Sequence, residues 1–472
     1  MPSRHSQRPS HLPDARARRK AELHPSIRDF LLRPLFHLCV LLFHSTCVRL
    51  LVALALLPLY CARQTVSVLP NIVQNAHLLF TSKGRFRLCQ ASDSYRQKEQ
   101  KIAWEQYNGT YKFSPSKILP WNDCSHQEPE RVEIEVCGIK ARIVHAKPPI
   151  LGKGSKRLLM VHGNPSWGYI WRNVIPTINA AGHEVFSIDW LGHGASDKPT
   201  DPREISFELH MQTLVAVIRH FDLDDFYIAA HDWGGCIVLC TVPSFPEGHR
   251  CAGLFLLNTF LPPRPQDISL HYYLLYWIWF FSTGVFGPLL PESLALRFMA
   301  PNITKTVVEG YSTPHRQCPT KTKASINRFA HIVPGIPDSI LDQRSGFLWR
   351  MVEGLIGPEH LTNINAQASL ARRDVEVRKW WSGEEIEKEN AEKRGHGGAG
   401  TDRASSAPGQ VMVVFGQDDP LLPEFRQILV DTVKVSKLVA NREGDWIAGA
   451  GHYPMEQTPD VIAKSIDSLL KG

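Results

Sequence analysis

The residues with most chemistry to offer lie together in the run His231-Asp232-Trp233-Gly234-Gly235. Asp225-Phe226-Tyr227-Ile228-Ala229-Ala230, just before it, is short, apolar and bounded by acidic residues, the pattern of a buried strand. A small-residue turn leads into a second apolar run, Cys236-Ile237-Val238-Leu239-Cys240. Strand, tight turn and helix in that order make an elbow that presents one side chain as a nucleophile. The usual signature of that elbow, G-x-S-x-G, carries serine where this chain carries Asp232. A carboxylate is already ionised at neutral pH and needs no activating base, but it attacks esters and amides poorly. It suits in-line displacement at a saturated carbon bearing a leaving group, which gives an alkyl-enzyme ester. Hydrolysis of that ester asks for a histidine base and a second carboxylate, in chain order nucleophile, acid, histidine.

Both partners occur downstream. Val411-Met412-Val413-Val414-Phe415-Gly416 reads as a parallel core strand, and Gln417-Asp418-Asp419-Pro420-Leu421 leaves its C-terminal end, where ligands bind in open α/β sheets. Asp419 is the candidate acid, with Asp418 as its near rival. Ala448-Gly449-Ala450-Gly451-His452-Tyr453-Pro454 sets His452, the candidate base, in a glycine-rich loop ahead of an amphipathic final helix, Pro459 to Leu470. A lone histidine or loop aspartate is more often structural; three such groups in the required order, each at a strand exit, reverse that reading. Upstream, the buried strand Arg157-Leu158-Leu159-Met160-Val161 opens into His162-Gly163-Asn164-Pro165-Ser166-Trp167. In this arrangement the loop after the third strand and the residue after the nucleophile supply the oxyanion-hole N–H groups, here Asn164 and Trp233. Their amide and indole side chains are also donors, able to cradle a departing halide. The plainer alternative makes Trp233 packing and Asn164 a turn former.

The motifs H-G-N-P-S-W at 162–167, D-W-L-G-H-G-A-S-D-K-P at 189–199 and H-D-W-G-G at 231–235 resemble those of the haloalkane dehalogenases, a branch of the α/β-hydrolase superfamily close to the epoxide hydrolases. The resemblance covers roughly residues 130–472 and implies Asp232 as nucleophile, His452 as base, and Asn164 and Trp233 as halide-binding residues. H-D-W-G-G is shared by both groups; Asn164 followed by Pro165 favours the dehalogenase. Some dehalogenases carry the acid after the sixth strand, but Gly253-Leu254-Phe255-Leu256-Leu257-Asn258-Thr259 offers an asparagine there, which points to Asp419 after the seventh. That subgroup also uses a cap tryptophan as halide ligand, and Arg297-Phe298-Met299-Ala300-Pro301 offers none. Epoxide hydrolases use cap tyrosines to protonate the epoxide oxygen; Tyr272, Tyr273, Tyr276 and Tyr311 are available.

These groups need a scaffold to converge. Eight apolar runs, Val132–Cys137, Lys140–His145, Leu158–His162, Val185–Trp190, Phe226–Ala230, Gly253–Asn258, Val411–Phe415 and Lys437–Asn441, alternate with helical patterns. The expected fold is α/β, an α/β-hydrolase with an eight-stranded, mostly parallel sheet and an inserted helical cap. The core occupies 131–261 and 338–472, and the cap 262–337. Within the cap, Ile268 to Pro291 has no charged residue. It has the length and apolarity of a membrane span, but its place inside the hydrolase pattern argues for cap helices lining an apolar cavity. Residues 382–410, with Glu-Lys alternation and then Gly- and Ser-rich sequence, read as a disordered insertion.

The N-terminal region lies outside the resemblance. Residues 1–34 form a basic tail, with eight basic against three acidic residues and so five of the chain's formal net charge of +7. A single aromatic residue, Phe30, falls among these basic ones, too few for base stacking, so nucleic acid is not expected as a partner. Residues 35–62 are mostly apolar, interrupted by His37, His44, Ser45, Thr46 and Arg49. A basic flank before such a run predicts a single-pass membrane anchor of the secretory pathway or endomembranes, although a central arginine costs about 2.5–3.5 kcal/mol; a cleaved signal peptide is the alternative. Residues 63–130 read as a linker. Of ten cysteines, Cys236, Cys240 and Cys251 fall in core elements, while Cys89, Cys124, Cys137 and Cys318 could pair in a lumenal domain, where the sequons at Asn108 and Asn302 would be usable. No zinc spacing, phosphate loop or dinucleotide fingerprint occurs, so neither cofactor nor metal is expected. The reading is a hydrolase that displaces halide from small apolar substrates with water as co-substrate. An epoxide hydrolase with the same triad is the alternative, and a non-catalytic binding protein a third that the intact triad argues against.

Overall fold

The computed structural model describes residues 85–90, 93–94, 106–107, 110–111, 129–150, 152, 154–264, 266–300, 302–316, 318–332, 375–384 and 407–472. Its centre is a sheet of β1 (Glu130–Val136), β2 (Ile139–Ala146), β3 (Arg157–Val161), β4 (Glu184–Asp189), β5 (Phe226–Asp232), β6 (Cys251–Thr259), β7 (Gln410–Gly416) and β8 (Lys437–Leu438). The spatial order is β8-β7-β6-β5-β3-β4-β2-β1, parallel except that β2 runs antiparallel to both β1 and β4. This is the expected α/β-hydrolase sheet. The eighth run is shorter than read, and a ninth short strand, Trp446–Ile447, pairs with the end of β7.

The central strands read as unbroken apolar runs because both faces are covered. On β3, Leu159 and Val161 enter one core while Leu158 and Met160 enter the other. The first core packs under α2 (Phe207–His220) and α3 (Trp233–Thr241), which follows α1 (Ile175–Ala180) in the chain; the second packs under α1 and the C-terminal helix. Ser206 caps the start of α2 by accepting from Leu209 N at 3.1 Å, which satisfies one of the unpaired donors of the first turn.

The cap follows β6 as α4 (Leu270–Phe286), α5 (Glu292–Met299), α6 (Lys305–Arg316) and α7 (Ala324–Ile332). Here the expectation of a membrane-associated, single-pass protein is corrected: among the described residues no helix is long and apolar enough to cross a membrane. The charge-free stretch at 268–291 yields only the 17-residue α4, about 26 Å long against roughly 30 Å of hydrocarbon, before the chain turns at Gly287 with φ +42°. Its Leu275, Tyr276 and Phe280 are buried against the domain. The segment 35–62 lies outside the described residues, as do the basic tail, Cys124 and the sequon at Asn108.

Of the insertion read at 382–410, residues 385–406 are outside the described set, but its C-terminal end is part of the fold. Ala407 is buried, Gly409 N donates to Ala252 O, and Gln410 opens β7. Cys137 is a free thiol. Beyond β7 lie α8 (Phe425–Thr432), α9 (Pro454–Gln457) and α10 (Pro459–Lys471).

Candidate active site

Asp232 ends β5 and precedes α3, with φ 53° and ψ −126°. A non-glycine residue in that region is strained, and it stays there because its surroundings fix it. Thr259 Oγ1 at the end of β6 donates to Asp232 O at 2.6 Å, and no side chain fits at Gly235, where a Cβ would overlap that threonine. Gly163 is required in the same way, since a Cβ there would overlap Asp232 Oδ1. The Asn164 backbone N–H therefore reaches the carboxylate, donating to Oδ1 at 2.8 Å. The N-terminus of α3 adds favourable partial positive charge beside it.

The other oxygen, Oδ2, lies 3.5 Å from His452 Nε2, and His452 Nδ1 lies 3.0 Å from Asp419 Oδ2. All three side chains are buried, so these interactions act with little screening. Burial alone would push the His452 pKa down; Asp419 and Asp232 outweigh it and raise the imidazole to about 10. Burial likewise disfavours the Asp419 charge, but His452 and its hydrogen bonds hold that carboxyl below its ordinary value. Asp418, the rival acid, is exposed.

Asp419 has two further donors, Leu421 N on Oδ1 at 2.8 Å and Asn258 Nδ2 on Oδ2 at 2.7 Å. Asn258 Oδ1 in turn accepts from Gly416 N at 3.0 Å. Asn258, noted in the sequence only as the absence of an acid, thus tethers the end of β6 to the acid that leaves β7. The histidine loop is held by His452 N donating to Met299 O of the cap at 3.3 Å, and by His231 Nε2 at 2.8 Å from His452 O.

Trp233, the first residue of α3, packs its ring against Phe260 at 5.1 Å, Phe329 at 5.0 Å and Trp279 at 5.7 Å. Two of these come from cap helices α7 and α4, so an aromatic wall stands over the nucleophile. Asn164 Nδ2 donates to Ile326 O at 3.1 Å, and its Oδ1 faces His193 Nε2 at 3.2 Å. Of the cap tyrosines, Tyr276 donates to Ala330 O at 2.6 Å and Tyr311 to Glu456 Oε1 at 2.5 Å, so both hydroxyl protons are spent. Tyr272 is affected by the Asp232 charge, but burial first and that carboxylate second push its phenol well above the usual range, making it a poor proton donor. Among the described residues no group of three or more His, Cys, Asp or Glu side chains is arranged to hold a metal ion.

Residues 156–289, from β3 to the first cap residues past α4, match the family described as alpha/beta hydrolase fold. Haloalkane dehalogenase 1 of Mycobacterium bovis is 32% identical over 183 residues, which cover 38% of this chain and 58% of the relative. The chain carries an α/β-hydrolase domain that is similar in sequence to the haloalkane dehalogenases. The haloalkane dehalogenase of Psychrobacter cryohalolentis is 29% identical over 196 residues, 41% of this chain and 61% of the relative. The chain thus spans about three-fifths of the length of these relatives. In fold, the hydrolase domain is similar to the tetrameric haloalkane dehalogenase DpaA from Paraglaciecola agarilytica, with TM-score 0.51 and 18% identity, covering 76% of this chain and 98% of that one.

Proposed function

We propose that the hydrolase domain cleaves carbon–halogen bonds of small apolar haloalkanes, with Asp232 as nucleophile, His452 as base, Asp419 as the acid that orients it, and Asn164 and Trp233 as halide donors. The observation that carries this reading is the continuous contact from Asp419 through His452 to Asp232, in a carboxylate whose other oxygen already accepts the Asn164 N–H. In the first step an Asp232 oxygen forms a bond to the substrate carbon as the carbon–halogen bond breaks, and the halide leaves with the bonding pair. Donors that strengthen as charge develops on the halide lower this barrier.

The raised pKa of His452 fits a two-step scheme. At rest the imidazole is protonated between two carboxylates and cannot act as a base. Alkylation turns Asp232 into a neutral ester and removes one of the charges that held the proton. His452 can then release it to solvent and take a proton from water, while the hydroxide attacks the ester carbonyl. The Asn164 N–H stands where that carbonyl oxygen gains charge. On collapse the departing alkoxide takes a proton from His452 and leaves as the alcohol, and the Asp232 carboxyl passes its proton to His452, which restores the carboxylate and the protonated imidazole.

Intact mass tests this scheme. With 1-bromohexane, His452→Ala is expected to accumulate protein heavier by one hexyl group, because the ester forms but is not hydrolysed. Asp232→Ala should show no such species. Turnover by the wild type without any adduct in His452→Ala would overturn the assigned roles. Opening of an epoxide in the absence of bromoalkane turnover would favour the epoxide hydrolase alternative, with Tyr272 as the tyrosine to test.

A further inference from the structure

The Asn164 carboxamide can bind an anion only one way round. Its nitrogen side donates and its oxygen side repels, and a half-turn about the last side-chain bond exchanges the two. The structure holds this group at a seam between core and cap. Ile326 O on α7 takes one N–H of Nδ2 at 3.1 Å, which leaves Oδ1 toward His193 Nε2 at 3.2 Å. His193 is fully buried, and burial first, then neighbouring histidines, keep its pKa well below the ordinary value, so the ring is neutral with a single N–H. Because Oδ1 can only accept, that proton belongs on Nε2. Nδ1 then faces the Ser325 hydroxyl at 3.4 Å and Leu191 O at 3.3 Å, and Ser325 Oγ itself lies 2.9 Å from Leu191 O. The seam is tight: a Cβ at Gly192 would overlap Ser325, and the His193 ring packs on Phe329 of α7 at 5.4 Å.

We propose that His193 is a positioning residue that fixes the Asn164 carboxamide in its donor orientation, keeping an N–H rather than the carbonyl oxygen toward a departing halide. The inference rests on the proposed halide-binding role of Asn164. Without His193 the Oδ1 side loses its donor, Ile326 O alone opposes the flipped orientation, and an acceptor occupies the halide position more often. Asn164 N–H on Asp232 is a backbone contact and is unaffected by the flip.

The test uses the full chain and sodium bromide as probe, with saturable binding read from quenching of tryptophan fluorescence alongside turnover of 1-bromohexane. His193→Ala is expected to weaken bromide binding about tenfold, the scale of one charge-assisted hydrogen bond. His193→Gln, whose amide nitrogen can take the place of Nε2, should recover most of it. His193→Phe keeps the packing on Phe329 but has no donor, and should behave like His193→Ala even where the alanine variant folds poorly. In an Asn164→Ala background, none of these changes should have a further effect on bromide. Unchanged bromide affinity in both His193→Ala and His193→Phe, an equal loss in both backgrounds, or no saturable bromide binding by the wild type would overturn the inference. A wild type that binds bromide with the expected His193 dependence but turns over no haloalkane would instead overturn the proposed reaction and leave the positioning role standing.

Discussion

His452 sits between two carboxylates that it must serve at different times, and the consequences can be measured on the single residue. Asp419 is permanent, whereas the charge on Asp232 would vanish on alkylation. Asp232→Asn mimics that loss, so the His452 imidazole, raised to about 10 in the native site, should titrate lower in the variant by NMR; equal values in the two proteins would sink the argument. Asn258 gives a second prediction. Asn258→Ala removes a donor from Asp419 and an acceptor from Gly416 N, and should lower kcat about tenfold, with hydrolysis of the adduct slowed more than its formation. Equal slowing of both steps would argue against a role through Asp419. Asn164, Asp232, Trp233 and Asp419 could be singled out in the sequence because each follows an apolar strand, and His452 because it falls in a glycine-rich loop before the final helix. Asn258 and His193 were not, because what matters about them is contact with Asp419, 161 residues away, and Asn164, 29 residues away. A side chain's partner across a sheet edge leaves no local pattern.

At the level of elements, the strands could be read because burial on both faces forces continuous apolar runs, and β1 to β7 match the expected boundaries closely. The cap was harder. A stretch built to cover an aromatic wall has the same composition as one built to lie in lipid, and α4 is distinguished only by its length and by what it packs on. What joins cap to core is also non-local. Arg172, after β3, makes a bidentate pair with Glu456 of α9 at 2.5 and 2.7 Å, lies 3.8 Å over the Tyr169 ring, and shares Glu456 with Tyr311 of cap helix α6. Both charged side chains are nearly fully buried, at 7% and 6% exposure, so the pair is costly to break from one side. Glu456→Ala should destabilise the domain by about 3–5 kcal/mol because Arg172 is left charged and unpaired. The double change Arg172→Met with Glu456→Leu should recover much of that loss in denaturant unfolding. Since Glu456 lies four residues beyond His452, the single variant is also expected to lose activity under conditions where it remains folded; full activity there would show that this clamp does not position the histidine loop.

Taken as a whole, the domain buries an unusual set of histidines, and these set how it responds to acid. Burial pushes the pKa of His162 and His210 down to about 3 and that of His231 to about 4, so all three are neutral in the folded protein. In the unfolded chain they return to about 6.5. Between these limits the unfolded state binds protons that the folded state does not, so stability falls as pH drops below about 6.5, by up to about 1.4 kcal/mol per pH unit for each histidine. His452 has the opposite sign: its pKa is raised, so its contribution is complete below about 6.5, cannot offset the acid loss, and disappears as pH rises toward about 10. Stability should therefore fall on both sides of neutrality. His210 is the residue with which to test the acid side. Neither of its ring nitrogens has a hydrogen-bond partner among the described residues, and its ring stacks on Phe329 at 4.8 Å and meets Trp190 edge-on at 5.8 Å. His210→Phe replaces an unpartnered polar ring by an apolar one of similar shape, which removes a desolvation cost rather than an interaction. The variant should match or exceed the native Tm at about pH 7.5 and exceed it by more at about pH 5, because one proton-binding site has been removed from the unfolded state. If both proteins lose stability with the same slope below about pH 6.5, His210 is not a source of the acid sensitivity.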